Sequence, residues 1–100
     1  MYDHNQTLVP DSFLALHVRH DRLQLDRKDL EERYEAAELL AQQIAAVVAS
    51  VPADEPAQQR EALNVVKASL LAELLRDREA EATWVVRRAA EICEWSPPDL

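Results

Sequence analysis

The sequence predicts an all-α protein: an antiparallel three-helix bundle with a short N-terminal helix, four helices in total. Three observations carry this. No glycine occurs in 100 residues, and glycine is the residue that tight hairpin turns with positive φ favour. Ala and Leu lead the composition, with Glu, Gln and Arg behind them, and all five are strong helix formers. Apolar residues also recur every three to four positions over long stretches, the period of an amphipathic helix.

Residues 1–8 are polar and are expected to form a disordered tail, with one domain over 9–96 and a second disordered tail over 97–100. Val9-Pro10-Asp11-Ser12-Phe13-Leu14-Ala15-Leu16-His17-Val18 comes next. Pro10 or Asp11 suits the start of a short helix that puts Phe13, Leu14 and His17 on one side. Leu14, Leu16 and Val18 also alternate as in a strand. The helix is preferred because no second strand is evident to pair with one.

The second helix begins after Asp26, a good N-cap, with Asp29 near the positive end of its dipole. Leu30, Tyr34, Ala37, Ala41, Ile44, Val48 and Val51 form a heptad stripe, and Leu40 and Val47 are expected to widen it. Pro52 stops the helix near Ser50. Asp54 as N-cap and Pro56 in the first turn start a third helix. Its stripe is Leu63, Val66, Leu70 and Leu74, broadened by Val65, Leu71 and Leu75, and polar Gln59 is expected to lie outside it. A single helix from 55 to 95 would be roughly 60 Å long, too long for a compact domain of this size. A break is therefore placed at 76–79, where Asp77 is a candidate cap. The last helix carries Trp84, Val85, Ala89, Ile92 and Trp95, flanked by Val86 and Cys93, and Ser96-Pro97-Pro98 ends it.

The net charge is −8, divided as −1 over residues 1–25, −3 over 26–51, −2 over 52–79 and −2 over 80–100. A diffuse acidic surface repels phosphate backbones and anionic lipid, so neither nucleic acid nor membrane is an expected partner. Without glycine, a Walker-type phosphate loop, a dinucleotide fingerprint and a G-x-S-x-G nucleophile elbow are excluded together. Cys93 is the single cysteine, and neither an 18-residue apolar run nor a signal-peptide pattern occurs. A reducing, cytoplasmic setting is expected.

Few residues suggest chemistry. On a helix, His17 and His20 would share a face with Asp21 beside them, but zinc needs a third or fourth ligand and Cys93 is the sole thiol. Surface or dipole-partner roles suit these histidines better, and no metal or other cofactor is expected. Cys93 with either histidine makes a formal thiol–imidazole pair that nothing nearby orients; a structural cysteine is the plainer reading. Glu31/Glu35 and Glu35/Glu38 have the spacing to meet, yet the pattern is that of a solvated face, with Arg27 four residues before Glu31. No catalytic residue is expected.

Trp84-Val85-Val86-Arg87-Arg88-Ala89-Ala90-Glu91-Ile92-Cys93-Glu94-Trp95 is the most distinctive segment, with the only adjacent arginine pair of an acidic chain. Trp84 and Arg88 are four apart and have the spacing for a cation–π stack. Either both tryptophans anchor the core, or Trp84, Arg87, Arg88 and Trp95 form a partner-binding hot spot, the residue types such sites favour; phosphate capture by the two arginines, without glycine or a lysine loop, is the least favoured reading.

Three pieces together carry a family resemblance: Val9-Pro10-Asp11-Ser12-Phe13-Leu14-Ala15-Leu16, Glu32-Arg33-Tyr34-Glu35 with Leu39-Leu40-Ala41, and the Trp84 to Glu91 run ending in Trp95. The chain resembles small bacterial helical proteins often labelled "ATPase with chaperone activity". That resemblance implies a nucleotide-dependent chaperone or ATPase. The residues themselves supply no phosphate-binding loop, and they point instead to a non-enzymatic cytoplasmic interaction module: an adaptor, regulator or self-associating bundle with a protein partner or a second copy of itself.

Overall fold

The structure, a computed structural model, describes residues 9–52 and 54–95. The expected tails over 1–8 and 97–100, and the stop at Ser96-Pro97-Pro98, lie outside the described residues. Helix α1 (Asp11–Leu14) continues as a 3₁₀ turn (Ala15–His17), followed by a minimal hairpin of β1 (Val18–Arg19) and β2 (Arg22–Leu23). Three longer helices then pack together: α2 (Arg27–Val48), α3 (Pro56–Ala72) and α4 (Glu79–Ile92). The mostly helical small bundle with a short N-terminal helix is as the sequence predicts.

The hairpin corrects one expectation. A second strand does exist: Val18 pairs with Leu23 and Arg19 with Arg22, antiparallel. The two residues between them, His20 and Asp21, both take positive φ (52° and 62°). A two-residue turn of this kind normally uses Asn-Gly. Aspartate and histidine are among the non-glycine residues that enter this region most readily, so the absence of glycine does not prevent the turn.

The helix ends also differ in detail. Asp26 stands at the N-cap of α2, but its side chain makes no capping hydrogen bond, and its carbonyl accepts from Leu30 N at 2.9 Å. Glu55, not Asp54, precedes α3, with Pro56 at the first helical position as expected. The break before α4 is present: α3 ends at Ala72, and Leu75 N donates to Leu70 O at 2.7 Å to close it. Asp77 reverses the chain at φ 60°, so Arg78, not Asp77, occupies the N-cap of α4.

At its far end α4 closes with a Schellman motif. Glu94 has φ 60°, Glu94 N donates to Glu91 O, and Trp95 N donates to Ala90 O, both at 2.9 Å. Glycine is the residue this position favours, because a Cβ there meets the backbone carbonyl. Glu94→Gly is therefore expected to stabilise the fold by about 0.5–1 kcal/mol, whereas Ala46→Gly on the exposed face of α2 should cost about 1 kcal/mol. Thermal melts of both variants check this, and a loss of stability in Glu94→Gly would refute the strain at that turn.

Helix α4 lies at the centre, packed most extensively on α2 and next on α3, while α2 and α3 meet over less of their length. Small residues suit a close α2–α4 approach: Ala37, Ala41 and Ala45 of α2 and Ala82, Ala89 and Ala90 of α4 are all buried. Phe13, Leu30, Leu63, Val85 and Val86 are the largest fully buried side chains. A cleft of about 330 Å³ opens between α2, the connection after α3 and α4, walled by Leu39, Leu40, Leu74 and Leu75 beside Val85. Part of the predicted stripe is overturned. Leu74 stays 67 % exposed, and Val65 and Val47 also face solvent. Ile92 lies at the rim of the core, at 36 % exposure. Gln59, expected outside the stripe, is buried instead; its Nε2 donates to the Pro52 carbonyl at 3.1 Å and so satisfies the α2–α3 connection.

Candidate groove beside Trp84

Phe13 organises the junction of α1, α2 and α4. The short helix starts after Pro10, whose carbonyl accepts from both Phe13 N and Leu14 N at 3.0 Å. It drops the Phe13 ring into the core, where edge-to-face contacts are available. The ring centroid lies 5.1 Å from Trp84, 5.6 Å from Tyr34 and 5.3 Å from His17, and Tyr34 and Trp84 are 5.9 Å apart. Trp84 Nε1 donates to Ser12 Oγ at 3.0 Å, tying α4 to the first turn of the chain.

A groove of about 460 Å³ runs over this aromatic cluster, with Pro10 and Leu16 on one wall and Trp84, Arg87 and Arg88 on the other. Arg88 does not stack on Trp84. Its Nε and Nη2 take the two carboxylate oxygens of Glu38 at 2.8 and 3.0 Å, and its Nη1 reaches Glu91 at 3.3 Å. A bidentate charged pair outweighs a cation–π contact at a half-exposed site. The Arg88 hydrogen bonds hold the Glu38 carboxyl below its usual range, and Glu38 raises the guanidinium in return. Burial, reinforced by the Glu38 charge, pushes the Tyr34 phenol up.

Of the four predicted site residues, three share the groove. Trp84 is half-buried and serves both as core anchor and as wall; Arg87 is exposed and makes no ion pair among the described residues. Trp95 is not part of it. It is buried after the end of α4, eleven residues and roughly 16 Å of helical rise from Trp84, and it belongs to the core.

A second cluster lies beside Phe13 and escapes sequence reasoning. Glu81, only 6 % exposed, faces His17 Nε2 at 3.1 Å and Arg33 Nη2 at 2.7 Å through its Oε1. Neither contact has hydrogen-bond alignment, and Arg33 Nε also lacks an acceptor among the described residues. His17 therefore pairs with neither His20, Asp21 nor Cys93: the chain leaves the helix at His17, and His20 sits in the exposed hairpin turn. Cys93 Sγ contacts the Ala45 carbonyl at 3.5 Å, and burial pushes its thiol up. Arg27 does pair with Glu31, at 2.9 Å.

Burial pushes the His17 imidazole below its ordinary 6.5, Glu81 partly opposing this and Arg33 adding to it. The folded state thus favours the neutral ring, and the unfolded chain binds the extra proton. Stability is fully present above pH 6.5 and falls as pH drops through 6.5 towards the folded value, by at most about 1.4 kcal/mol per pH unit. Glu38 acts lower, contributing above its ordinary 4.5 and losing that contribution as pH falls towards its depressed folded value. Denaturant titrations at pH 7.5 and 5.5 should show the first loss in the wild type and little of it in His17→Gln; equal losses in both would remove His17 as its source.

Comparison with known protein families, with curated proteins and with solved structures finds no match to this chain. No helix among the described residues is long and apolar enough to cross a membrane.

Proposed function

We propose that the protein is a non-enzymatic cytoplasmic interaction module whose α1/α2/α4 groove docks a segment of a protein partner. One observation carries the proposal: Pro10, Leu16, Tyr34 and Trp84 line an open groove into which an exposed arginine projects from the same helix. Aromatic and arginine side chains at a partly desolvated concavity are the usual composition of a binding hot spot. The surrounding groups support a rigid recognition surface. Trp84 is fixed by Ser12 and Phe13, and Arg88 by Glu38 and Glu91, so the walls are held in one arrangement before any partner arrives. The lone cysteine, away from the groove against Ala45, suits a reducing compartment.

Affinity capture from the native cells, with wild type and Arg87→Glu in parallel, tests the proposal. A partner retained by wild type and lost from Arg87→Glu supports it, and retention by both sinks it. Light scattering during size-exclusion chromatography distinguishes a second copy of the chain as the partner, since the wild type alone would then run as an oligomer.

A further inference from the structure

We infer that the segment received by the groove is acidic, with an aspartate or glutamate placed next to an apolar residue. This rests on the docking reading above and adds the chemistry of the partner. The groove's charged lining consists of Arg87, Arg88 and Glu91. Arg88 is fully engaged, its single charge shared between both oxygens of Glu38 and one of Glu91. Arg87 remains as an exposed cation with no ion pair among the described residues. On a chain of net charge −8, Arg87 is the one cation lining the groove without a carboxylate partner among the described residues, and a complementary segment presents a carboxylate to it. A planar carboxylate matches the guanidinium fork in a way that a lone hydroxyl or amide does not.

The apolar requirement comes from the rest of the lining. The indole N–H of Trp84 is engaged by Ser12 Oγ, which leaves the ring surface, not its donor, as what Trp84 offers to a ligand. Pro10 and Leu16 form the facing wall without adding a side-chain donor or acceptor. An acid beside a proline, leucine or aromatic residue satisfies both walls of one groove. A phosphate-rich polymer carries charge but no apolar partner for Trp84, and the rest of the surface repels it.

Selection of a displayed random decapeptide library on the full-length protein, alongside Arg87→Glu and Ala80→Trp, tests the inference. Arg87 and Ala80 are exposed, so both variants keep the fold, which matching melting temperatures verify; the indole at position 80 fills the groove. Wild type is expected to enrich peptides with an acid next to an apolar residue. These should bind Arg87→Glu at least tenfold more weakly, and selection on Arg87→Glu itself should enrich lysine and arginine instead. Peptides that lose binding to Ala80→Trp yet show no acidic preference would overturn the inference and leave the docking reading standing. Recovery of only Ala80→Trp-insensitive peptides, or of none, would overturn both.

Discussion

Phe13→Ala is expected to lower the melting temperature by about 15 °C or more. Removing a fully buried aromatic ring typically costs about 3–5 kcal/mol, and each kcal/mol is worth roughly 4–8 °C in a domain of this size. The loss is concentrated because Phe13 alone of α1 is fully buried and touches residues of α2 and α4 together. Without it, α1 has only four helical residues and the Ser12–Trp84 hydrogen bond to hold it in place, and the groove loses one wall. Trp84 emission should shift to longer wavelength even at temperatures where the bundle is folded. Phe13→Leu should recover most of the stability but not the wall, because it keeps volume and loses edge-to-face contact. A drop under about 5 °C for Phe13→Ala would mean that α1 is not docked in solution.

The second large effect is expected at Glu81. Glu81→Ala removes the carboxylate that, among the described residues, faces both Arg33 and His17, and stranding a buried partner costs about 3–5 kcal/mol. Arg33 keeps some contact with water, its side chain being 27 % exposed, so about 2–3 kcal/mol is the expected loss. Replacing both partners by apolar residues of similar volume removes the stranded charge. The double variant Arg33→Met/Glu81→Met should therefore be more stable than Glu81→Ala and close to wild type. Denaturant melts of the single and double variants form the comparison. If the two changes simply add, the pair is not coupled and the cluster contributes through packing alone.

Much of this architecture is legible in the sequence, for reasons that are local. Pro52 and Pro56 mark the α2–α3 connection because proline disrupts a helix interior and suits a first turn. The break before α4 follows from length alone, although residues 73–78 hold neither proline nor glycine. The hairpin was not legible: His20-Asp21 is a weak signal for a turn whose usual sequence is Asn-Gly. Periodicity shows which face of a helix is apolar, not whether a neighbour reaches it. Val47 and Leu74 match their stripes yet stay exposed, and Leu74 falls beyond the end of α3 at Ala72.

The groove divides along the same line. Trp84, Arg87 and Arg88 are conspicuous by type and spacing, and they do line one surface. Their partners are not local. Arg88 finds Glu38 50 residues away, and Trp84 finds Ser12 72 residues away, so a pairing inferred from positions four apart gave way to longer-range contacts with better geometry. Glu81 looks like an ordinary acidic residue in a first helical turn, where the dipole favours it. Only the arrival of His17 and Arg33 from two other elements buries it. Trp95 matches the hot-spot residue type, yet the Schellman turn at Glu94 directs it into the core.

A photo-crosslinking amino acid placed at Thr83 in living cells tests the docking groove most directly. Thr83 lines the groove one residue before Trp84, while Asn64 on the exposed face of α3 supplies a control position of the same chain. Irradiation is expected to join the Thr83-labelled protein to one protein species, to leave the Asn64-labelled protein unjoined, and to lose the adduct when Arg87→Glu is added. Equal adducts from both positions, or an adduct at Thr83 that persists with Arg87→Glu, would contradict a partner seated against Trp84 and Arg87.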